Sequence, residues 1–440
     1  MKRMFFILLS VILSLSTELA RAQEYTFKQC LDQALSQNLT VRQQILTSNL
    51  KEVNLTQSQN SRFPSVDANV RQQYSNTDNQ SSTTGDWSRE GAFSTSGSIN
   101  ASVNLFSGLR IKNSIEQAKL DLLSGQADVA VQKETLTLQI LDQYLQLLYA
   151  DEQVRNSKSQ LDLTKQQLDL AKAKVEAGTL SRADYLQVES QYYSEQTTLT
   201  NAENLYESNR ISLMQLMEIP VNKQFRITQP DLTDLPLTLT TPNSYDLYLK
   251  ALEIKPQIES AELSAKSAEM GIKIAKAGYM PSLSLDAGIT TNYSDRVNQL
   301  SFSSQLNHNL TPAVGLTLSI PIYKQGSTKA QVSTAMIQSS QAKLQLQNTQ
   351  NQLRKSIENA CLDFSASLSK YQSTSAQYQS SEASYEVASE RFSRGVINAV
   401  DLLYQKTAVI QAQSALLQAK YNVLYASKVL DFYSGKEITF

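Results

Sequence analysis

Between Val66 and Tyr74 the chain alternates, with Val66, Ala68, Val70 and Tyr74 set against Asp67, Asn69, Arg71 and Gln73. The same period returns in Ile99, Ala101, Val103 and Leu105 against Ser98, Asn100, Ser102 and Asn104. It returns again at Leu283, Leu285, Ala287 and Ile289, and at Val314, Leu316, Leu318, Ile320 and Ile322. Period two gives an extended strand one apolar and one polar face. Each segment predicts a strand of about ten residues, the length that crosses a membrane tilted in a barrel. Polar stretches rich in Ser, Thr, Asn, Asp and Gln, Ser75 to Ser96 and Ser294 to Thr311, join each pair. They read as long external loops, not tight hairpins.

Elsewhere the chain is helical in pattern. From Gln126 to Ala177, and from Ser327 to Arg394, there is neither Gly nor Pro, and Gln, Ala, Leu, Ser and Lys dominate. Globular domains punctuate their chains more often, so these runs predict long uninterrupted helices. Ser107 to Ala177 and Gln325 to Arg394 would each be roughly 105 Å long at 1.5 Å per residue. Gly178 or Gly395 then turns the chain into a returning helix, Arg182 to about Met217 or Val400 to about Tyr433. A shorter helix precedes each strand pair, Phe27 to about Arg62 and Ser244 to about Gly278. Phe63-Pro64 and Met280-Pro281 end them, because proline disfavours helix at the residue before it.

These elements are one unit written twice. Ala34-Leu35 recurs as Ala251-Leu252, Phe63-Pro64 as Met280-Pro281, Gly178 as Gly395 and Asp184 as Asp401, all at an offset of 217 residues. Val103, Leu105 and Phe106 recur as Ile320, Ile322 and Tyr323 in the same register. A constant offset over so many landmarks marks an internal repeat. The predicted organisation is a first repeat over 23–219, a Pro-rich linker over 220–242, a second repeat over 243–435 and a tail over 436–440. A short strand is expected in the linker at Phe225 to Thr228.

The N-terminus sets the compartment. Lys2 and Arg3, an apolar run from Phe5 to Leu15, and Ala20-Arg21-Ala22 form a secretory signal over residues 1–22. No other apolar run is long enough to span a bilayer as a helix. A net charge of −1 argues against a nucleic-acid partner. Cys30 and Cys361 could pair in an oxidising compartment, but both contexts look apolar and helical, and buried free thiols are expected instead.

Four strands cannot close a membrane barrel, since closed outer-membrane barrels have at least eight. A lone four-stranded sheet would leave open edges in lipid, so several copies must pool their strands. The long helices also need neighbours. Ala118, Ala127, Ala130, Ala171 and Ala173 permit close approach, and Leu161, Leu168 and Val175 follow the seven-residue spacing of a coiled-coil seam.

The passages Lys255-Pro256-Gln257-Ile258 and Ala275-Lys276-Ala277-Gly278-Tyr279-Met280-Pro281-Ser282-Leu283 resemble the TolC-like outer-membrane efflux channel family. So do Ile320-Pro321-Ile322-Tyr323 and the pair Gly395 and Asp401, and the likeness covers essentially the whole chain after the signal. The resemblance implies a mainly α fold, with a long helical barrel crossing the periplasm and four transmembrane strands per protomer closed by trimerisation. It implies an outer-membrane conduit for efflux or type I secretion in a Gram-negative cell. Its partners would be a periplasmic adaptor (membrane fusion) protein, an inner-membrane pump and outer-membrane lipid. The adaptor would dock on the tips, Gly178-Thr179-Leu180-Ser181 and Gly395-Val396-Ile397-Asn398. The second hairpin would be the inner one, with Asp401 at the periplasmic constriction. Asp184 would lie on the outer hairpin, held by Arg182 or by Arg394. The family often carries a second acid one turn beyond Asp401; here that place is Tyr404, which would narrow the mouth by bulk. The first strand exit, Asn104-Leu105-Phe106, lacks the proline found at Pro321.

No enzymatic chemistry is expected. His308, the only histidine, falls in the second external loop without ligand-spaced Cys or carboxylates around it. No phosphate loop or nucleophile elbow occurs, and Gly85, Gly91 and Trp87 fall in the first polar loop. No cofactor or metal is implied. The alternative reading is a secreted or surface coiled-coil structural protein, which would not need four duplicated alternating strands.

Overall fold

The computed structural model describes residues 24–80, 83–230, 242–296 and 300–440. The expected signal over 1–22 and the middle of the linker lie outside the described residues. The elements are β1 (Glu24–Tyr25), α1 (Phe27–Gln37), α2 (Leu39–Asn60), β2 (Ser65–Gln80), β3 (Trp87–Ser107), α3 (Arg110–Glu176), α4 (Arg182–Leu216) and β4 (Arg226–Ile227). They continue as α5 (Ser244–Ile254), α6 (Pro256–Lys276), β5 (Ser282–Ser294), α7 (Phe302–His308), β6 (Thr311–Ser319), α8 (Ser327–Ser393) and α9 (Ala399–Tyr433). Among the described residues no helix is long and apolar enough to cross a membrane.

The repeat holds in the backbone. Left-handed residues occur in pairs at the same offset of 217: Gly108 and Gln325, Leu109 and Gly326, Gly178 and Gly395, Glu218 and Gly435. In three of these pairs only one copy is glycine, so the geometry outlives the residue best suited to it. The expected single helix from Phe27 to Arg62 is broken at Asn38, and its second copy at Lys255, again 217 residues apart. Both break residues leave the helical region, with ψ 130° at Asn38 and 122° at Lys255, and their N–H groups cap Ala34 and Ala251. In the first copy Asn38 accepts from Thr40 N–H at 3.0 Å and donates to the Leu216 carbonyl at 3.1 Å. In the second copy Pro256 opens the new helix, where its missing N–H costs nothing.

Two compact units emerge, and each draws on both repeats. One contains 46–127 and 259–348. Its sheet has the order β2-β3-β5-β6, antiparallel throughout. The register places Val66, Ala101, Ala287 and Val314 on one row, and Ser65, Ser102, Asp286 and Gly315 on the next. The apolar face is open, with Val70 83%, Val314 77% and Leu316 66% exposed. On the polar face Asp286 accepts hydrogen bonds from Ser102 at 2.8 Å, Ser284 at 3.0 Å and Thr317 at 3.4 Å. The outer edges of β2 and β6 have no strand partner among the described residues.

Two loop expectations are corrected here. Most of Ser75 to Ser96 is strand, because β2 and β3 pair on through Gln80 and Trp87 and reach 16 and 21 residues. Gly91 lies in β3, where a side chain would collide with the Tyr74 ring, and the Tyr74 ring lies tilted against Phe93 with centroids 4.9 Å apart. The second loop contains α7, and His308 sits in its last turn with Nδ1 2.8 Å from the Ser304 carbonyl. Where Asn104 stands in the place of Pro321 the strand has a β-bulge, as Asn104 and Phe106 pair with consecutive residues of β5.

The other unit contains, among the described residues, 24–45, 128–258 and 349–440. Its core gathers Phe27, Ala34, Val41, Ile140, Tyr144, Leu148, Met214, Leu417 and Leu424. The short linker strand is β4, Arg226–Ile227, paired in parallel with β1. Ile438 is buried in the same core, and the Phe440 ring lies 5.1 Å from Phe27 and 5.8 Å from Tyr144. The tail residues therefore pack instead of trailing free.

Cys30 and Cys361 are both buried and free. Burial pushes the Cys30 thiol up to about 12 and raises Cys361 in the same direction. Only the thiolate is nucleophilic. At pH 8 the native chain should therefore take up no iodoacetamide, and the unfolded chain should take up two equivalents by mass. Rapid labelling of the native protein would contradict this core placement.

Candidate functional site

From 128 and 349 onward the hairpins α3–α4 and α8–α9 belong to one compact unit, and their turns are built alike. Gly178 and Gly395 adopt φ near +74°. Each turn closes with two helix-ending bonds: Gly178 N–H to Val175 and Thr179 N–H to Lys174, then Gly395 N–H to Phe392 and Val396 N–H to Arg391. This double closure needs a left-handed residue, which glycine supplies without strain. Thr179 is exposed and Val396 is 70% exposed, while Leu180 and Ile397 are half-buried. Ser181 and Asn398 cap the returning helices by accepting the N–H of Asp184 at 3.0 Å and of Asp401 at 2.8 Å.

Both aspartates thus sit in a first helical turn, where a carboxylate complements the helix dipole. Capping alone explains an acid at each position. Their carboxylates nevertheless differ. That of Asp184 accepts the Ser181 hydroxyl at 2.6 Å, whereas that of exposed Asp401 has no partner among the described residues. Among the described residues of a single chain neither arginine pairs with Asp184. Arg394 pairs with Glu390 on its own helix, and Arg182 lies over the Tyr185 ring at 5.4 Å. Asp401 and Tyr404 line one groove between α8 and α9 with Val387, Arg391 and Ile397. Tyr404 is 73% exposed.

The contact between the two hairpins changes in kind along its length. Near the core it is apolar, through Leu145, Leu148, Leu417, Tyr421 and Leu424. Polar links follow: Glu152 with Lys420 at 3.3 Å and Tyr421 at 3.0 Å, Gln160 with Gln413 at 3.4 Å, and Gln167 with the Tyr385 hydroxyl at 2.9 Å. Among them lies a buried ion pair, Lys406 with Glu195 at 3.1 Å. Lys406 and Thr164 are hydrogen-bonded, Thr164 donates to Glu195, and Gln191 donates to Glu195 at 2.9 Å. Beside the turns only a small cluster remains, Ala171, Val188 and Ala399.

The fully buried line on α3 is Ala150, Ser157, Thr164 and Ala171, seven residues apart; Leu161, Leu168 and Val175 are half-buried. Lys406 and Glu195 escaped the sequence reading. Each replaces an apolar residue on a buried stripe, between Leu402 and Val409 and between Val188 and Ala202.

The duplicated hairpins and the two-faced sheet have counterparts. Residues 30–217 and 247–436 match the family described as outer membrane efflux protein. The chain belongs to that family. It is similar to the outer membrane efflux protein BepC of Brucella suis, at 20% identity over 78% of this chain and 73% of the relative. It is also similar to the outer membrane protein TolC of Vibrio cholerae, at 21% identity over 71% of this chain and 70% of TolC. Among solved structures, the outer-membrane channel OprN aligns with a TM-score of 0.76 and 19% identity, covering 93% of this chain and 90% of that one. The fold is that of an outer-membrane efflux channel.

Proposed function

We propose that three copies of this chain form the passive outer-membrane conduit of an efflux or type I secretion system. The observation that carries the reading is the four-stranded sheet with one apolar face, one polar face and two unpaired edges. Edge pairing between copies would satisfy the backbone in lipid and close a barrel with its polar face inward. The repeats over 23–219 and 243–435 then supply strands and hairpins alike. In detergent the mature protein should have three times the chain mass and should form ion-conducting pores in planar bilayers. A stable, non-conducting monomer would refute the proposal.

The turns at Gly178–Ser181 and Gly395–Asn398 are proposed as the docking surface for a periplasmic adaptor, itself joined to an inner-membrane pump. Exposed Thr179 and Val396 are the side chains an adaptor would meet first. Thr179→Arg and Val396→Arg should abolish export from cells while leaving the level of trimer in the outer membrane unchanged. Normal export in both variants would remove the docking role. Asp401 and Tyr404 are proposed to form the constriction on the second hairpin. Asp184, Arg182 and Arg394 would lie outside it, each already engaged locally.

A further inference from the structure

Strand β6 stops pairing at Thr311, opposite Thr290, while β5 runs on to Ser294. Helix α7 takes the place of the missing strand. Gln305 is 3% exposed; its amide accepts the Ser294 N–H at 3.1 Å and donates to the Ser294 carbonyl at 3.1 Å, as a paired strand would. Asn309 donates to the Asn292 carbonyl at 2.7 Å. Two further contacts fix the side on which the helix lies. The Thr291 hydroxyl donates to the Leu306 carbonyl at 2.7 Å, and the Tyr293 ring meets the Phe302 ring edge-on with centroids 4.8 Å apart. Thr291 and Tyr293 continue the row of Leu285, Ala287 and Ile289, so α7 lies on the apolar face of the sheet.

Leu300, Phe302 and Leu310 remain 43%, 49% and 55% exposed around this helix, continuous with Ile289 and Val314 on the open face. From Val297 to Tyr323 the sequence carries no Asp, Glu, Lys or Arg, whereas the matching stretch of the first repeat, 80–106, carries Asp86, Arg89 and Glu90. A segment standing in water gains nothing by shedding charge and turning large apolar side chains outward. We propose that α7 is an interfacial helix resting in the outer leaflet, with Leu300, Phe302 and Leu310 among lipid where headgroups meet acyl chains. This placement rests on the proposal above that the apolar sheet face meets lipid, and it extends that surface beyond the strands. Aromatic rings favour the headgroup level, and a helix lying in that plane buries its apolar side chains without crossing the bilayer. Exposed Ser303, Asn307 and His308 supply polar groups for the wet side.

The test uses the assembled mature protein reconstituted in phosphatidylcholine vesicles. Trp87 is the only tryptophan, so Trp87→Phe leaves a silent background. In that background Phe302→Trp places one reporter on α7, and Leu316→Trp places another in the middle of β6. Lipid brominated near the headgroup should quench Phe302→Trp about twofold, and lipid brominated near the chain ends should quench it much less. Leu316→Trp should show the reverse order. Leu310→Trp, just past the other end of α7, should repeat the Phe302→Trp pattern, so the result does not hang on one substitution. Quenching of Leu316→Trp without quenching of either α7 reporter would overturn the interfacial placement and leave the lipid-facing sheet standing. Blue-shifted emission would then assign α7 to contact with a neighbouring copy, and red-shifted emission to water. Equal quenching of Phe302→Trp by both lipids would put the helix within the acyl layer and overturn the placement as well. Quenching of none of the three would overturn the lipid-facing sheet and the helix placement together.

Discussion

Leu316→Arg should leave almost no mature assembly in the outer membrane, while Thr317→Asn beside it should leave the level near that of the parent. Leu316 stands in the middle of β6 on the open apolar face, opposite Leu285, which in turn faces Val103. An arginine at the midplane of a membrane barrel costs about 2–4 kcal/mol. Three copies would make that about 6–12 kcal/mol for the assembly, comparable with the whole stability of an ordinary domain. Thr317 points to the other face, within 3.4 Å of Asp286. Asparagine can donate to that carboxylate as threonine does, and it would face water in the proposed barrel. Heat-modifiable trimer in isolated outer membranes measures both outcomes. Equal levels for the two variants would mean that the faces have been exchanged, since a shift of one residue turns every side chain over.

The parts legible in the sequence were those that repetition or periodicity spelled out. Val66 to Tyr74 and Val314 to Leu318 alternate because one face meets apolar surroundings and the other does not, and the register follows from that. Gly178 and Gly395 announced their turns because a left-handed residue after a long helix is written most cheaply as glycine. The extension of β2 and β3 through Gln80 and Trp87 was illegible for the converse reason. Residues such as Ser75, Asn76, Thr77 and Asp78 are polar on both faces, so pairing there rests on backbone bonds that no side-chain pattern records. The break at Asn38 was hidden by good helix formers on both sides, and it depends on a side chain reaching the distant Leu216 carbonyl. Nothing in the sequence around Lys406 and Glu195 marks them as buried. Only packing of the hairpins buries them, and that information is tertiary.

Asp401→Ala should weaken cation preference in planar-bilayer recordings by a few-fold, and Asp184→Ala should change it much less. Both residues occupy the same helical turn in their repeats, so helix capping treats them alike. Asn398 and Ser181 still accept a backbone N–H after either substitution, and loss of the first-turn acid costs only about 0.3–1 kcal/mol. Buried Ala399, Leu402 and Leu403 keep the α9 turn in place. What separates the two is where the charge is spent. The Asp184 carboxylate is occupied by Ser181 at 2.6 Å, while that of Asp401 has no partner among the described residues and lies beside exposed Tyr404 in the groove of the second hairpin. Three such carboxylates around a narrow mouth would concentrate cations and repel anions. Tyr404→Ala should widen the mouth, raising conductance while leaving selectivity to Asp401. If Asp401→Ala kept the parent's selectivity, Asp401 would be a helix-capping acid facing bulk water, and the constriction would have to be sought elsewhere along α9.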